Sequence, residues 1–418
     1  MPRRGIAVRI ASFMWHFGKS LLEQLLLSRG EEPTGKVVFF VATKNQRDAL
    51  SPIANRTGEQ VFYGVGNYGE RRFPLASAYA ASLFFLPLVL SRFIGSRGYQ
   101  RKSFEIAFDM YWLSYGFYIA SRKLFRKIRP ACLVVSNDHS TLNRTIAKAA
   151  MDECVQTIYI QHASVAEGKF PLLSFDYAFL DGRDALTKYD LLGESKTKVF
   201  LTGIAKFDAY STAINSANSV KSLGVCVNTL DPVSRVEELC RHLKQHISSL
   251  DIIIRPHPGD KNFREWERLS KMTGIGFSDS RAQNAFDFLG TVDAILGGES
   301  GILLEAALMN VYPIYYAFSD SPVDYYGYLR HGLVEECLRD PAELVETMKE
   351  LIRGKPHVRS RAKFYCDTIG TRFDGKSTDL IRNLLAQIVF GRVDYSVWDD
   401  IPSLRNLAAY RLKVETNE

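Results

Sequence analysis

Apolar and polar positions follow two rhythms along the chain. Lys36 to Ala42 (KVVFFVA) and Gln60 to Val65 are apolar runs of strand length, whereas Leu75 to Ile94 and Phe104 to Ile128 carry apolar residues at helical spacing. From Ala131 the pattern becomes strand, loop, helix, through ACLVVSND, LNRTIAKAAMDE, TIYIQH, FDYAFLDG and KVFLTG. This alternation predicts a parallel sheet with crossover helices. The small, polar stretch Tyr210 to Ser222 reads as a linker. The rhythm then restarts with strands at Gly224 to Asn228, Asp251 to Arg255, Ile275 to Phe277, Val292 to Leu296 and Tyr312 to Tyr316. Helices are predicted at Pro232 to Gln245, Phe263 to Met272 and from Gly301. The last segment, Arg359 to Glu418, holds a helical stretch at Ser377 to Phe390 and little strand pattern.

A length of 418 residues exceeds the roughly 250–300 at which one core stops growing. The expected architecture is α/β, with two Rossmann-like domains: 1–212, a linker at 213–222, 223–358, and a C-terminal helical segment at 359–418. Open α/β sheets bind ligands beyond the carboxyl ends of their strands. The site is therefore expected in a cleft between the two domains.

Composition narrows the class. Hydrophobic residues at 46% and charged residues at 24% exclude a disordered or polytopic membrane chain. The N-terminus is basic but has no long apolar core before a small-residue cleavage site, so no signal peptide is read. The run Leu83 to Leu90 is broken by Pro87 and falls far short of the ~20 residues that span a bilayer, so no membrane span is expected. Six scattered cysteines without CxxC spacing match a reducing compartment and argue against zinc or disulfide frameworks.

Charge is uneven. Residues 1–130 carry 20 Lys and Arg against 8 Asp and Glu, the remainder 33 against 38. In Phe73 to Arg129 the cations are interleaved with aromatics, a mixture that suits docking on an anionic membrane surface, or equally a solvated rim over an aromatic core. No groove-reading or base-stacking module is visible, so no nucleic-acid partner is expected.

Two elements carry candidate chemistry in the second domain. Arg255-Pro256-His257-Pro258 ends a strand; the two prolines stiffen the turn, and His257 can offer a hydrogen bond to a leaving phosphate or serve as a structural turn histidine. In Gly297-Gly298-Glu299-Ser300-Gly301 the glycines admit a close ligand. The helix that follows offers free N–H groups to an anion, with Ser300 as an N-cap. Glu305 lies where its carboxylate can accept from ribose hydroxyls, or simply face solvent. In the first domain Asn137, His139, Gln161, His162 and Ser164 follow apolar strands and are candidate acceptor or sugar contacts, His162 or His139 also as a proton acceptor; loop capping is the plainer alternative.

Together these residues resemble the C-terminal half of GT-B glycosyltransferases with CMP- or CDP-linked donors: bacterial sialyltransferases and polysialyltransferases, capsule Kdo transferases and CDP-glycerol polymerases. The likeness rests on Arg-Pro-His-Pro, on Ser278-Asp279-Ser280, and on Gly298-Glu299-Ser300-Gly301 followed by Glu305-Ala306. Within that group the chain is most similar to the β-Kdo transferase module of O-antigen chain-terminating enzymes. That likeness spans Ala131 to Arg353 and includes Gln161-His162, the turn Asn228 to Pro232, Asn284 to Leu289 (NAFDFL) and Asp324 to Gly327 (DYYG).

The resemblance implies a retaining transferase that moves β-Kdo from CMP-β-Kdo to an O-antigen or capsule acceptor. It implies that Asp231 attacks the anomeric carbon, although Asp before Pro at a helix start also reads as an N-cap. Arg255, His257, Pro258, Ser278, Glu299, Ser300, Gly301, Glu305 and Lys206 become nucleotide-sugar contacts, with Lys206 or Arg255 pairing with the Kdo carboxylate or the phosphate. Tyr326 joins the acceptor or sugar contacts. The implied partners are the CMP-linked donor, a lipid-linked polysaccharide, an anionic membrane surface and other synthase domains or subunits. The implied place is the cytoplasmic side of a Gram-negative inner membrane. With one donor phosphate and no DxD at a strand end, no metal and no cofactor are expected. The alternatives are a CMP-sialic acid or CDP-glycerol donor, and a non-catalytic nucleotide-sugar-binding subunit.

Overall fold

In the computed structural model residues 5–26, 33–54, 60–168, 170–318, 323–400 and 409–413 are described. The strands are β1 (Val37–Val41), β2 (Gln60–Gly64), β3 (Arg71–Arg72), β4 (Cys132–Val135), β5 (Gln156–Ile160), β6 (Tyr177–Leu180), β7 (Lys198–Leu201), β8 (Ser222–Val227), β9 (Asp251–Pro256), β10 (Gly276–Phe277), β11 (Ala294–Gly297), β12 (Tyr312–Tyr316), β13 (Cys337–Leu338), β14 (Trp398–Asp400) and β15 (Ala409–Leu412). They form two sheets, ordered β14-β15-β7-β6-β5-β4-β1-β2-β3 and β10-β9-β8-β11-β12-β13. Every pairing is parallel except that of β14 with β15. Helices cover both faces, which is why β1, β4, β11 and β12 are buried at every position and read as unbroken apolar runs.

In each sheet the chain starts in the middle, steps outward twice, then crosses back to the other side of the first strand. In the second sheet this gives the Rossmann order 3-2-1-4-5-6. The order reverses between β1 and β4 in one lobe and between β8 and β11 in the other. At such reversals successive connections leave in opposite directions and open a crevice above the strand ends.

The C-terminal segment departs from the helical expectation. Its helix Ser377–Val389 buries Leu380, Ile381, Leu384 and Leu385 in one core with Phe39, Phe62 and Phe179 of the first sheet. Asp208 receives the N–H groups of Ser377 (3.0 Å) and Thr378 (2.5 Å) at the start of that helix. Beyond it, β14 and β15 extend the first sheet past β7, so the tail returns to the first lobe. All six cysteines are free.

Between β3 and β4 the crossover is a hairpin of two long helices, Leu75–Gly95 and Gly98–Ile128, the second bent at Ala107. Gly116 makes their close approach possible: a Cβ there would stand 2.0 Å from the Ala78 carbonyl oxygen. The Trp112 indole donates to the Ser82 carbonyl (2.6 Å). A third helix, Ile6–Leu26, lies on the hairpin through Phe13, which stacks on Trp112 at 4.2 Å between ring centres.

The helix expected at Leu75 to Ile94 is present, and it is longer and more apolar than the run Leu83 to Leu90 alone suggested. Leu75–Gly95 continues through Pro87 for 21 residues, with a mean hydropathy of 1.6 and only 17% of its most apolar window buried, so by length and composition it could cross a membrane. Pro87 reads as a breaker in sequence because it removes one backbone bond of a helix interior. Here it sits on the exposed face, and packing of the opposite face through Ala78, Tyr79 and Ser82 holds the helix together.

Candidate functional site

Asp231 stands at the reversal point of the second sheet. β8 ends at Val227 and enters the turn Asn228-Thr229-Leu230-Asp231, closed by Asp231 N–H to the Asn228 carbonyl (3.0 Å). One carboxylate oxygen, Oδ2, accepts from the Asn228 N–H (2.7 Å). The other, Oδ1, faces Gly298 beyond the end of β11, where an added Cβ would lie 3.7 Å away. Asp231 is 7% exposed, and burial pushes its carboxyl up to about 6, opposed only in part by the Asn228 bond. The N-cap reading of this residue fails. The helix Val233–His246 begins one residue later than that reading requires, Pro232 takes the capping place, and no side chain caps it.

At the end of β9 the His257 N–H donates to the Val227 carbonyl (2.7 Å), which ties the His-Pro turn to the strand leading to Asp231. The imidazole is exposed, and its Nδ1 accepts from the Gly259 N–H (3.1 Å). In the neutral ring that bond leaves the proton on Nε2, so a donor points outward from the turn. Pro258 is exposed, and its carbonyl accepts from Arg281 (3.2 Å).

Arg255 and Ser278 do not serve as free ligand contacts. Arg255 is buried, donates to Ser278 Oγ (2.6 Å) and the Gln283 carbonyl (2.8 Å), and lies 4.8 Å over the Phe288 ring. Ser278 is buried as well, and its hydroxyl donates to Gln283 Oε1 (2.8 Å). The pair holds the loop after β10 rigid beneath the His-Pro turn. Arg255→Ala is accordingly expected to destabilise the protein by about 3 kcal/mol in urea unfolding, since two charge-assisted bonds of ~1.5–3 kcal/mol each are lost and the Ser278 hydroxyl stays buried. An unchanged unfolding midpoint would show that the guanidinium is not a brace.

The Gly-Glu-Ser-Gly segment also differs in detail. The helix is Ile302–Leu308 with Gly301 as its N-cap, and Ser300 does not cap it. Glu299 braces the returning chain: its carboxylate takes the Tyr315 hydroxyl and the N–H groups of Val323 (3.1 Å) and Tyr325 (2.9 Å). Glu305 and Lys206, expected as separate contacts, form an ion pair between the two lobes. A ribose hydroxyl reaching Glu305 must compete with that ammonium.

In the first lobe the Gln161 amide is held at both ends, Nε2 on the Ala163 carbonyl (3.0 Å) and Oε1 on the Asp181 N–H (2.9 Å). Asn137 Oδ1 accepts from the N–H groups of His139 (3.2 Å) and Ser140 (2.7 Å), the loop-closing role. The Asn137 amide oxygen has no lone pair left for a sugar, whereas Gln161 Oε1 keeps one. His139 keeps an exposed ring with Nδ1 3.1 Å from Asp138. Ser164 meets the Tyr328 hydroxyl (3.2 Å), while the Tyr326 carbonyl accepts from Lys188 (2.8 Å) and its ring stacks on Tyr328 at 5.3 Å. Ser164 and Tyr326 thus join the lobes.

His162 behaves differently. Its Nδ1 is buried without a partner, and burial, helped by nearby His139 and Lys206, lowers the ring to about 4. It is neutral at physiological pH, with an acceptor to spare. Beside it a cavity of about 20 Å³, room for one water, is lined by Gln161, Asp181, Gly203 and Lys206. Asp181 is the residue that sequence reasoning missed: it follows β6 as His162 follows β5, and desolvation in this half-buried place raises its carboxyl well above the usual range against the pull of Lys206. An acidic residue directly after an apolar strand was the available signal. Among the described residues no group of three or more His, Cys, Asp or Glu side chains could hold a metal ion.

No family model matches the chain, and no curated protein matches it. Solved structures do. The chain is similar to a putative UDP-N-acetylglucosamine 2-epimerase from Listeria monocytogenes, with a TM-score of 0.57 and 13% identity over 86% of this chain and 98% of that one. It is similar to CalG4, the calicheamicin glycosyltransferase, with a TM-score of 0.51 and 11% identity over 86% of this chain and 99% of that one. It is also similar to the wall teichoic acid polymerase TagF in a structure soaked with CDPG, with a TM-score of 0.52 and 11% identity over 93% of this chain and 99% of that one. At such identities the likeness defines architecture: the fold is GT-B, two Rossmann-like lobes.

Proposed function

We propose that the chain is a retaining glycosyltransferase that moves Kdo from CMP-β-Kdo to a lipid-linked O-antigen or capsule polysaccharide. The observation that carries this reading is the buried Asp231 carboxylate at the reversal point of the second sheet, one oxygen held and the other turned toward Gly298. A carboxyl raised to about 6 is ionised at neutral pH yet more basic than an ordinary aspartate, which suits a nucleophile. In the first step Asp231 Oδ1 bonds to the anomeric carbon, the bond from that carbon to the phosphate oxygen breaks, and CMP departs with the electron pair. The outward Nε2–H of His257 steadies its charge. In the second step the acceptor hydroxyl gives its proton to a base, attacks the same carbon and releases Asp231. Two inversions give retention. His162, whose ring burial keeps neutral, is the residue we assign as that base.

The work is done at the cytoplasmic face of a Gram-negative inner membrane, alone or with other synthase subunits. Incubation with CMP-β-Kdo without acceptor is expected to add one Kdo to the intact mass, mapping to Asp231. An unmodified mass in a preparation that transfers Kdo would rule out the covalent route. A CDP-linked donor is the second reading, supported by the likeness to TagF soaked with CDPG. Thermal-shift measurements separate the two: a rise in Tm with CMP favours the first, and a rise with CDP but not CMP overturns it.

A further inference from the structure

The three helices that precede β4 present a large apolar surface that has no partner among the described residues. Ile6–Leu26 is apolar on two sides. One side buries Phe13 against Tyr79 and Trp112. The other runs through Val8, Trp15, Leu22 and Leu25, one face at helical spacing, and is exposed, with Trp15 at 71% and Leu25 at 81%. The hairpin helix Leu75–Gly95 repeats this outward apolarity at Phe84 (84% exposed) and Ile94 (75%).

These faces adjoin. Arg9 donates to the carbonyls of Glu105 (2.8 Å) and Ile106 (3.1 Å) near the hairpin tip, while Glu23 pairs with Arg72 (2.8 Å) at its base, so the first helix runs along the hairpin. Contiguous exposed apolar surface of this extent marks an interaction site. The charge around the tip says which kind. Arg92, Arg97 and Lys102 are exposed or nearly so and make no ion pair among the described residues, whereas the acidic residues nearby, Glu105 and Asp109, pair with Arg101 and Arg9. An apolar face rimmed by uncommitted cations fits anionic lipid headgroups over acyl chains.

We propose that these three helices form a one-leaflet anchor, lying in the interface of an anionic bilayer with Trp15, Leu22, Leu25, Phe84 and Ile94 facing the acyl chains. Leu75–Gly95 meets the length for a span, but it does not cross. Its inner face is committed to the hairpin through Ser82 and Trp112, and its partner helix carries Arg101, Lys102, Glu105 and Asp109 at the depth a span would occupy. A second copy of the chain would bring like charges together at the tip, which disfavours it as the occupant. This inference is independent of the transferase reading, because lipid binding and sugar transfer are read separately.

The chain supplies its own probe. Trp112, Trp266 and Trp398 are buried, leaving Trp15 as the exposed tryptophan. Mixing the protein with phosphatidylcholine vesicles containing phosphatidylglycerol is expected to shift Trp fluorescence to the blue, and bromine-labelled acyl chains to quench it. Trp15→Phe should remove both signals yet still co-sediment. Phe84→Asp with Leu22→Asp should weaken co-sedimentation at least about tenfold while leaving Tm and nucleotide binding unchanged, since each position is exposed. Vesicles of phosphatidylcholine alone should bind at least about tenfold more weakly. The anchor is overturned if Trp15 is blind to anionic vesicles, if the double variant sediments like the parent, or if the same substitutions instead dissolve a dimer of a protein that ignores lipid.

Discussion

Asp231→Asn is expected to lower sugar transfer by about 10³-fold or more, the scale on which loss of a covalent nucleophile is felt, while leaving the protein at least as stable as the parent. The substitution keeps the shape of the side chain, and the Asn oxygen can still accept from the Asn228 N–H that Asp231 Oδ2 now holds. What it removes is a charge that burial disfavours. The folded carboxyl is raised from 3.8 to about 6, so the native state binds the proton more tightly than the unfolded chain. Its contribution to stability is therefore full below pH ~4 and is lost as pH rises through about 6. Asparagine has no such loss. Its advantage is absent in acid and reaches at most about 2–3 kcal/mol above pH 6, from two pKa units at 1.36 kcal/mol each. Denaturant melts at pH 4 and pH 8 read this directly. A structural aspartate would give the opposite pair of results: reduced stability and an unimpaired rate. In the parent enzyme kcat/KM should climb through pH 6 as the carboxylate ionises, and a wild-type rate in the asparagine variant would end the nucleophile assignment.

Sequence made the sheet interiors easy to read and the use of individual charges hard. VVFFV, CLVV, AILG and YPIYY are buried on both sides, and a strand of that kind has no polar face to interrupt the run. The edge elements carry no such signal. Trp398–Asp400 has two acidic residues out of three, and it pairs only because β15 returns to β7. The helix at Leu75–Gly95 was legible by its spacing, but its apolar run was counted only over Leu83 to Leu90 because the penalty of Pro87 is visible in sequence, whereas the close packing at Gly116 that outweighs it comes from another helix. At the site, the His-Pro turn and the double glycine are legible since their backbone demands a residue type. Arg255 is not: its positive charge suggests a phosphate, but its partners lie more than twenty residues downstream at Ser278 and Gln283. Lys206 and Glu305 were each assigned to the ligand for the same reason, and only the juxtaposition of the lobes shows that they hold each other. Asp181 failed in the opposite way, as an acidic residue in an ordinary place whose desolvation by the surrounding fold is a tertiary fact.

His257→Ala is expected to lower kcat by about 10²–10³-fold, the cost of removing one preorganised donor from a developing negative charge, with stability changed by less than about 0.5 kcal/mol, as for other exposed positions. The separation follows from how the turn is built. The backbone bonds that fix it, His257 N–H to the Val227 carbonyl (2.7 Å) and Asp260 N–H to the His257 carbonyl (2.9 Å), do not involve the imidazole. The one bond that does, from the Gly259 N–H to Nδ1, lies at an exposed position where water can replace it. On the proposed route that bond also matters for chemistry, since it keeps the proton of the neutral ring on Nε2 and so makes the ring a donor rather than an acceptor toward the phosphate. In the ground state the phosphodiester of CMP-Kdo carries one negative charge; as the bond to the anomeric carbon breaks, CMP gains a second. A donor at the phosphate is therefore worth more in the transition state than in the bound donor complex, and the loss should fall on kcat with KM for the donor little changed. Asp231→Asn should stop formation of the Kdo adduct, whereas His257→Ala should only slow it, and rapid-quench mass measurements of adduct formation distinguish the two. An adduct that forms at the parent rate in His257→Ala would remove the histidine from the chemical step and leave it as part of the turn.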